Sequence, residues 1–256
     1  MCDTRPPVRR ILVPYHHGDA VPALVQAFAA DDAVVVSKGP LAPMLAAIAE
    51  MTATRIAATD EPALVAAADR LAALGTVAGL QRRGLTPSVL WLGAHAAFCT
   101  ASTTRDGYLG SLTVAMLTGR GGAALRDPLA LRPIADERCA LVGVRALDGT
   151  ERDALAVTTI RRVDVAALST AELPPPPWYV HLDADLLDPS EARSLRYPVP
   201  NGLTRPQVAD ALRTLAARGT IVALGLACTF TSDTYKSPEA FAPFLTLADA
   251  IRQPHG

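Results

Sequence analysis

The stretch Trp178–Ser190, "WYVHLDADLLDPS", decides the fold. Its first half is a run of β-forming residues with almost no polar interruption, the pattern of a strand buried on both faces of a parallel sheet. His181, Asp183 and Asp185 alternate, so they are expected to share one face. Asp188 and Pro189 then turn the chain. Two carboxylates two residues apart at a strand end form a hard-oxygen pair suited to Mn or Mg. A solvated acidic turn is the plainer reading of the same residues.

Outward from this stretch, short apolar runs alternate with Ala/Leu-rich segments. The runs predict strands at Arg10–Pro14, Ala33–Ser37, Ser88–Leu92, Ala140–Val144, Trp178–Leu182 and Ile221–Ala227. The segments between predict helices at Val21–Ala30, Pro43–Met51, Pro62–Arg83, Leu109–Leu117, Glu151–Thr158, Arg205–Arg218 and Pro238–Arg252. Thr204 followed by Pro206 reads as a cap and an early helical proline. Gly84 reads as a helix stop. The expectation is α/β: a single-domain, three-layer αβα sandwich with a mainly parallel sheet, spanning residues 1–256. In such sheets chemistry gathers at the carboxyl ends of the strands.

Composition narrows the partners. The chain has 256 residues, a formal net charge of -1, and 19% charged residues without a basic stripe, so nucleic acid is not expected. No apolar run is long enough to span a bilayer, and no secretory signal is evident. The expected compartment is the cytoplasm. Cys2, Cys99, Cys139 and Cys228 are not in CxxC spacing, so free thiols are expected.

The stretch Val89–Thr100, "VLWLGAHAAFCT", joins the acidic one to carry a resemblance. Together they resemble the DAHxD and DxDxxDP motifs of the ureohydrolase superfamily, which includes arginase, agmatinase and formimidoylglutamase. "ALGTVAGLQRRG", "TTRDGYLGSLTVAML", "LVGVRALDGTE", "LRYPVPNGLT" and "ALGLACTFTSDT" extend the likeness in order along nearly the whole chain. It is nearest the short bacterial arginase-like branch that includes hydroxyarginine hydrolases. The resemblance implies an arginase-like fold and, for typical members, two Mn ions on six ligands.

This chain departs from that ligand set. Matched position by position, Arg70 stands for the first ligand, which the resemblance gives as His or, in some of the short branch, Cys; Gly93 and Ala97 replace the two carboxylates of DAHxD, and His95, Asp183 and Asp185 are kept. Two divalent ions bring +4, and two carboxylates answer half of it. A dinuclear cluster is therefore not expected; the expectation is no metal, or a single weakly bound Mn on His95, Asp183 and Asp185. Arg70 is expected to set its guanidinium against Asp183 or Asp185 as a bidentate pair. Asp148 and Glu151 keep the acidic pair that the resemblance assigns to a substrate amino group, and Arg70 joins them as a candidate ligand-binding residue. His95, Asp183 and Cys99 are the catalytic candidates. Each has a bland counterpart: His95 as a satisfied strand-end histidine, Cys99 as a small buried residue. The expected function is a non-classical family member, with two-manganese guanidino hydrolysis lost and the pocket turned to binding, or to metal-independent chemistry, on an amino-acid-derived ligand, as in specialised metabolism. The alternatives are a non-catalytic subunit partnering an active paralogue, as a homo- or hetero-oligomer, and a one-metal hydrolase of guanidino or amidino compounds.

Overall fold

In a computed structural model, residues 7–192, 194–233 and 236–252 are described; Cys2 lies outside them. The strands are β1 (Arg9–Val13), β2 (Tyr15–His16), β3 (Asp19–Ala20), β4 (Asp32–Ala33), β5 (Ala63–Ala67), β6 (Ser88–Leu92), β7 (Cys139–Val142), β8 (Arg161–Val163), β9 (Trp178–Asp183) and β10 (Ile221–Ala227). The α-helices are α1 (Pro22–Ala27), α2 (Leu41–Ala57), α3 (Ala72–Arg82), α4 (Thr113–Leu117), α5 (Ala123–Arg126), α6 (Gly149–Ala156), α7 (Arg205–Arg218) and α8 (Ala242–Leu245). Eight strands form one sheet in the order β4-β1-β5-β10-β9-β6-β7-β8, and β2 and β3 form a small antiparallel pair. Every pairing in the large sheet is parallel.

Strand alternation divides the core into two layers. Ile11, Val65, Trp91, Leu141 and Tyr179 face α2, α3 and α4. Leu12, Leu64, Leu90, Val180 and Leu224 face α1, α7 and α8. Helices on both faces give the three-layer α/β sandwich that the sequence predicts, and they explain why the central strands are apolar throughout.

Two strands of the large sheet are not among those predicted. The run "ALVAA" is β5, not the start of a helix beginning at Pro62, and α3 begins only at Ala72. Alanine favours helix weakly, by tenths of a kcal/mol, and burial on both faces between β1 and β10 outweighs that preference. β8, which pairs only with β7, is the other strand missed; "RRV" carries too little apolar signal. β4 is shorter than the predicted Ala33–Ser37, and the predicted C-terminal helix is broken into α8 between two 3-10 turns. Helix punctuation was more legible. Thr204 caps α7 in a full capping box with Gln207, and Pro206 sits in the first turn. Thr204→Ala is expected to cost about 1 kcal/mol, read as a lower urea midpoint at unchanged slope.

Candidate functional site

The sheet brings the candidate residues to the carboxyl ends of three strands. Ala68, Asp69 and Arg70 follow β5, Gly93 to Cys99 follow β6, and Asp183 to Asp188 close β9. β6 stops at Leu92, so the extended strand backbone does not continue through His95 to Ala97. Ala97 instead takes a left-handed conformation (φ 52). This turn aims its carbonyl at the backbone N–H groups of Val114 and Ala115, which seats the start of α4.

Asp183 and Asp185 are almost fully buried, at 1% and 3% exposure, and so is Arg70 at 2%. Arg70 Nη2 lies 2.9 Å from Asp183 Oδ2 and 3.2 Å from Asp185 Oδ2. The expected two-nitrogen fork is not what forms. One nitrogen bridges both carboxylates, because their Oδ2 atoms converge on a single point while the other oxygens are committed. Asp183 Oδ1 accepts the Asp185 N–H at 3.1 Å, and Asp185 Oδ1 accepts the Ala94 N–H at 2.7 Å. His95 Nδ1 meets Asp185 Oδ2 at 2.7 Å. Burial pushes the Asp185 carboxyl up, but His95, Arg70 and the Ala94 N–H outweigh it and hold the group below the usual range. Burial works against the charge on Arg70 as well; Asp183 leads the opposing charges, and the guanidinium stays firmly protonated.

A second buried contact backs this one. His16 Nδ1 lies 3.1 Å from Asp69 Oδ2, and Asp69 Oδ1 accepts the Leu71 N–H. The Asp69 carboxyl is held low by His16 against the cost of burial. Beneath the carboxylates, the His181 ring stacks on Trp91 with centroids 3.6 Å apart and accepts or donates to the Tyr179 hydroxyl at 3.0 Å. Burial lowers the His181 pKa, so it is a neutral packing group. The order of the carbonyls after β9 is fixed by Arg145, whose Nη2 donates to the carbonyls of Asp185 and Val199 at 2.9 Å each.

These groups form the floor and walls of a cleft of about 160 Å³ lined by Arg70, His95, Cys99, Tyr108, Asp148 and Glu151, with Tyr197 at its rim. His95 is the part of the carboxylate cluster that reaches solvent, with its side chain 29% exposed. At the other end, Asp148 caps α6 through the Glu151 N–H (2.8 Å), and Glu151 Oε1 accepts the Phe98 N–H (3.0 Å). Burial first, then the neighbouring Glu151, push the Cys99 thiol up to about 12. It is a thiol and not a thiolate at neutral pH, the opposite of what a nucleophile needs.

Tyr108 and Tyr197 carry roles that the sequence reading did not assign. Tyr108 covers Arg70, the guanidinium lying 5.7 Å from its ring centroid, and it packs on Tyr197 at 5.4 Å. The signal was Gly110: a Cβ there would lie 2.3 Å from the Tyr108 ring, so only glycine leaves it room.

The sequence profile of the Arginase family matches residues 14–229. The chain belongs to the arginase family. It is 34% identical to an arginase of Brucella melitensis over 175 residues, covering 62% of this chain and 57% of that protein. The match thus spans little more than half the length of that relative. It is 30% identical over 143 residues to the N(omega)-hydroxy-L-arginine amidinohydrolase of Streptomyces lavendulae, covering 53% of this chain and 49% of that one. The arginase structure from Bacillus cereus superposes with a TM-score of 0.81 at 19% identity, covering 97% of this chain and 99% of the other, which bears on the fold alone. Among the described residues of this family member, no helix is long and apolar enough to cross a membrane.

Proposed function

We propose that this chain is a non-classical arginase-family protein in which two-manganese guanidino hydrolysis is lost, and whose strand-end cleft binds a small amino-acid-derived ligand. The observation that carries the reading is the Arg70 guanidinium at the point where Asp183 Oδ2 and Asp185 Oδ2 converge. A metal pair does not fit the residues present. A divalent ion set near those oxygens would stand close to a fixed positive charge. At about 4 Å and an effective dielectric near 20, even two unit charges repel by roughly 4 kcal/mol. Gly93 supports the same reading. A Cβ there would lie 3.0 Å from Asp185 Oδ1, so the room for a bridging carboxylate is taken up by Asp185 itself.

What the residues can do is bind and orient. Asp148 and Glu151 place negative charge at one end of the cleft and suit an amino group. His95, held by Asp185, presents its ring to the same space and can exchange a proton there. Tyr108 and Tyr197 give an apolar wall between the two ends. The test is paired. Incubated with Mn, the chain is expected to release neither urea from L-arginine nor hydroxyurea from N(omega)-hydroxy-L-arginine above a no-protein control. Calorimetric titration with L-arginine or L-ornithine is expected to show binding that Glu151→Gln weakens. Mn-dependent release of urea or hydroxyurea would defeat the first half, and binding indifferent to Glu151→Gln the second.

A further inference from the structure

One edge of the large sheet is open. β4 pairs only with β1, so its outer side carries no strand. Beyond β4, residues 34–40 run on without a turn or bend until α2 begins at Leu41. The even positions of this stretch are used inward. The Val34 N–H donates to the Leu12 carbonyl at 2.8 Å. The Val36 N–H donates to the Tyr15 hydroxyl at 2.9 Å, and that hydroxyl donates to the Val36 carbonyl at 3.4 Å. Successive residues of a strand turn their backbone groups to opposite sides, so those of Ala33, Val35 and Ser37 point away from the sheet. Among the described residues, none of these three has a hydrogen-bond partner on that side.

Apolar exposure gathers at the same edge. Among the described residues four large apolar side chains stand exposed, and Val25, Val35 and Leu41 are three of them. They belong to α1, to the open edge and to the start of α2. Val35, in the middle, is 69% exposed.

The sequence of the edge says what covers it. Residues 32–38 read Asp-Ala-Val-Val-Val-Ser-Lys, a pattern symmetric about Val35 except that its two ends carry opposite charge. Laid antiparallel on a second copy with a two-fold axis at Val35, Ala33 meets Ser37, Val34 meets Val36, and Asp32 meets Lys38. Alternation sets Asp32, Val34, Val36 and Lys38 on one face. It is the face of α2: Val34 lies in that core layer, Val36 packs against it, and Arg55 of α2 reaches Asp32 at 3.0 Å. Lys38 has no ion-pair partner among the described residues. A lysine on an edge strand ordinarily repels a second strand. In this register it stands opposite a carboxylate, which favours pairing.

We propose that the chain dimerises through this edge, the β4 segment of one copy pairing antiparallel with that of a second copy about a two-fold axis at Val35. The contact is isologous, each copy offering the same patch. The Val35 N–H of each copy donates to the Val35 carbonyl of the other, and the Ser37 N–H to the Ala33 carbonyl. No residue of the cleft takes part, so the dimer stands or falls independently of the proposed function.

Sedimentation equilibrium of the full chain is expected to show monomer and dimer in exchange. Val35→Lys should weaken the dimer by at least about tenfold, since it sets like charges opposite each other. Because Val35 is exposed, the dilute variant should melt with the dilute parent. Cross-linking reads the register. The described cysteines are buried, and Cys2 is replaced by serine for this experiment. Under oxidised glutathione, Val35→Cys is expected to form an intermolecular disulfide, because residues paired in this way stand about 5.5 Å apart at Cα, within disulfide reach. Ser37→Cys should not, since the axis sets its two copies about 14 Å apart. A chain monomeric at every concentration, a dimer indifferent to Val35→Lys, or cross-linking no greater for Val35→Cys than for Ser37→Cys would each overturn the proposal.

Discussion

Arg70→Met is expected to destabilise the folded chain by about 3–5 kcal/mol at pH 7, the cost of leaving buried charges without their partner. Asp183 and Asp185 would then sit buried and close together, with His95 against Asp185 and the more distant Arg145 left to offset them. The pH dependence gives a second, independent reading. In the parent, Asp185 and Asp69 titrate below their usual range. Their contribution is therefore present above the unfolded carboxylate pKa, about 3.9, and is lost as pH falls through the lower folded values. Without Arg70, two like charges share a dry site, and one carboxyl pKa must rise. The folded state then binds more protons than the unfolded one, and stability falls as pH rises. Urea melts at pH 7 and pH 5 are expected to show Arg70→Met more stable at pH 5. A variant within about 1 kcal/mol of the parent at both values would mean that Arg70 does not hold the cluster.

The second large effect is a gain. Combining Arg70→His, Gly93→Asp and Ala97→Asp restores the residue types that the family resemblance assigns to those three positions. Without metal the triple variant is expected to melt below the parent. It adds two carboxylates beside the buried pair Asp183 and Asp185, and the new side chain at 93 starts 3.0 Å from Asp185 Oδ1. With Mn²⁺ it is expected to recover. Each site filled at 100 times its dissociation constant adds about 2.7 kcal/mol. The left-handed backbone at Ala97 is no bar, since aspartate tolerates that region better than most residues. On the proposed reading, Gly93→Asp alone should destabilise without gaining a Mn response, because Arg70 keeps its place against Asp183 and Asp185. The check is melting temperature against Mn concentration for parent, single and triple variants. A triple variant indifferent to Mn would mean that the departure lies elsewhere than in these three residues.

Most of the fold was legible in the sequence because buried parallel strands write themselves as apolar runs. β6 and β10 match the predicted bounds in full. β5 was not legible, since "ALVAA" has the composition of a helix and only its neighbours β1 and β10 make it a strand. The candidate site was legible in its residues and not in its geometry. His95, Arg70, Asp183 and Asp185 could be picked out by position, and the structure brings them together. That a single Arg70 nitrogen bridges both carboxylates depends on where the Ala94 and Asp185 N–H groups point, and no spacing encodes that. Tyr108 over Arg70 and His16 against Asp69 join residues distant in sequence, and neither pair has a local pattern.

The central claim is that Arg70 occupies the place where a metal pair would otherwise sit. Equilibrium dialysis of the chelator-treated chain against Mn²⁺, with metal counted per chain, tests it most directly. The account predicts at most one equivalent, bound weakly, and no increase when Mn²⁺ is raised to saturate a hydrolytic relative under the same conditions. Two tightly held equivalents per chain would contradict it.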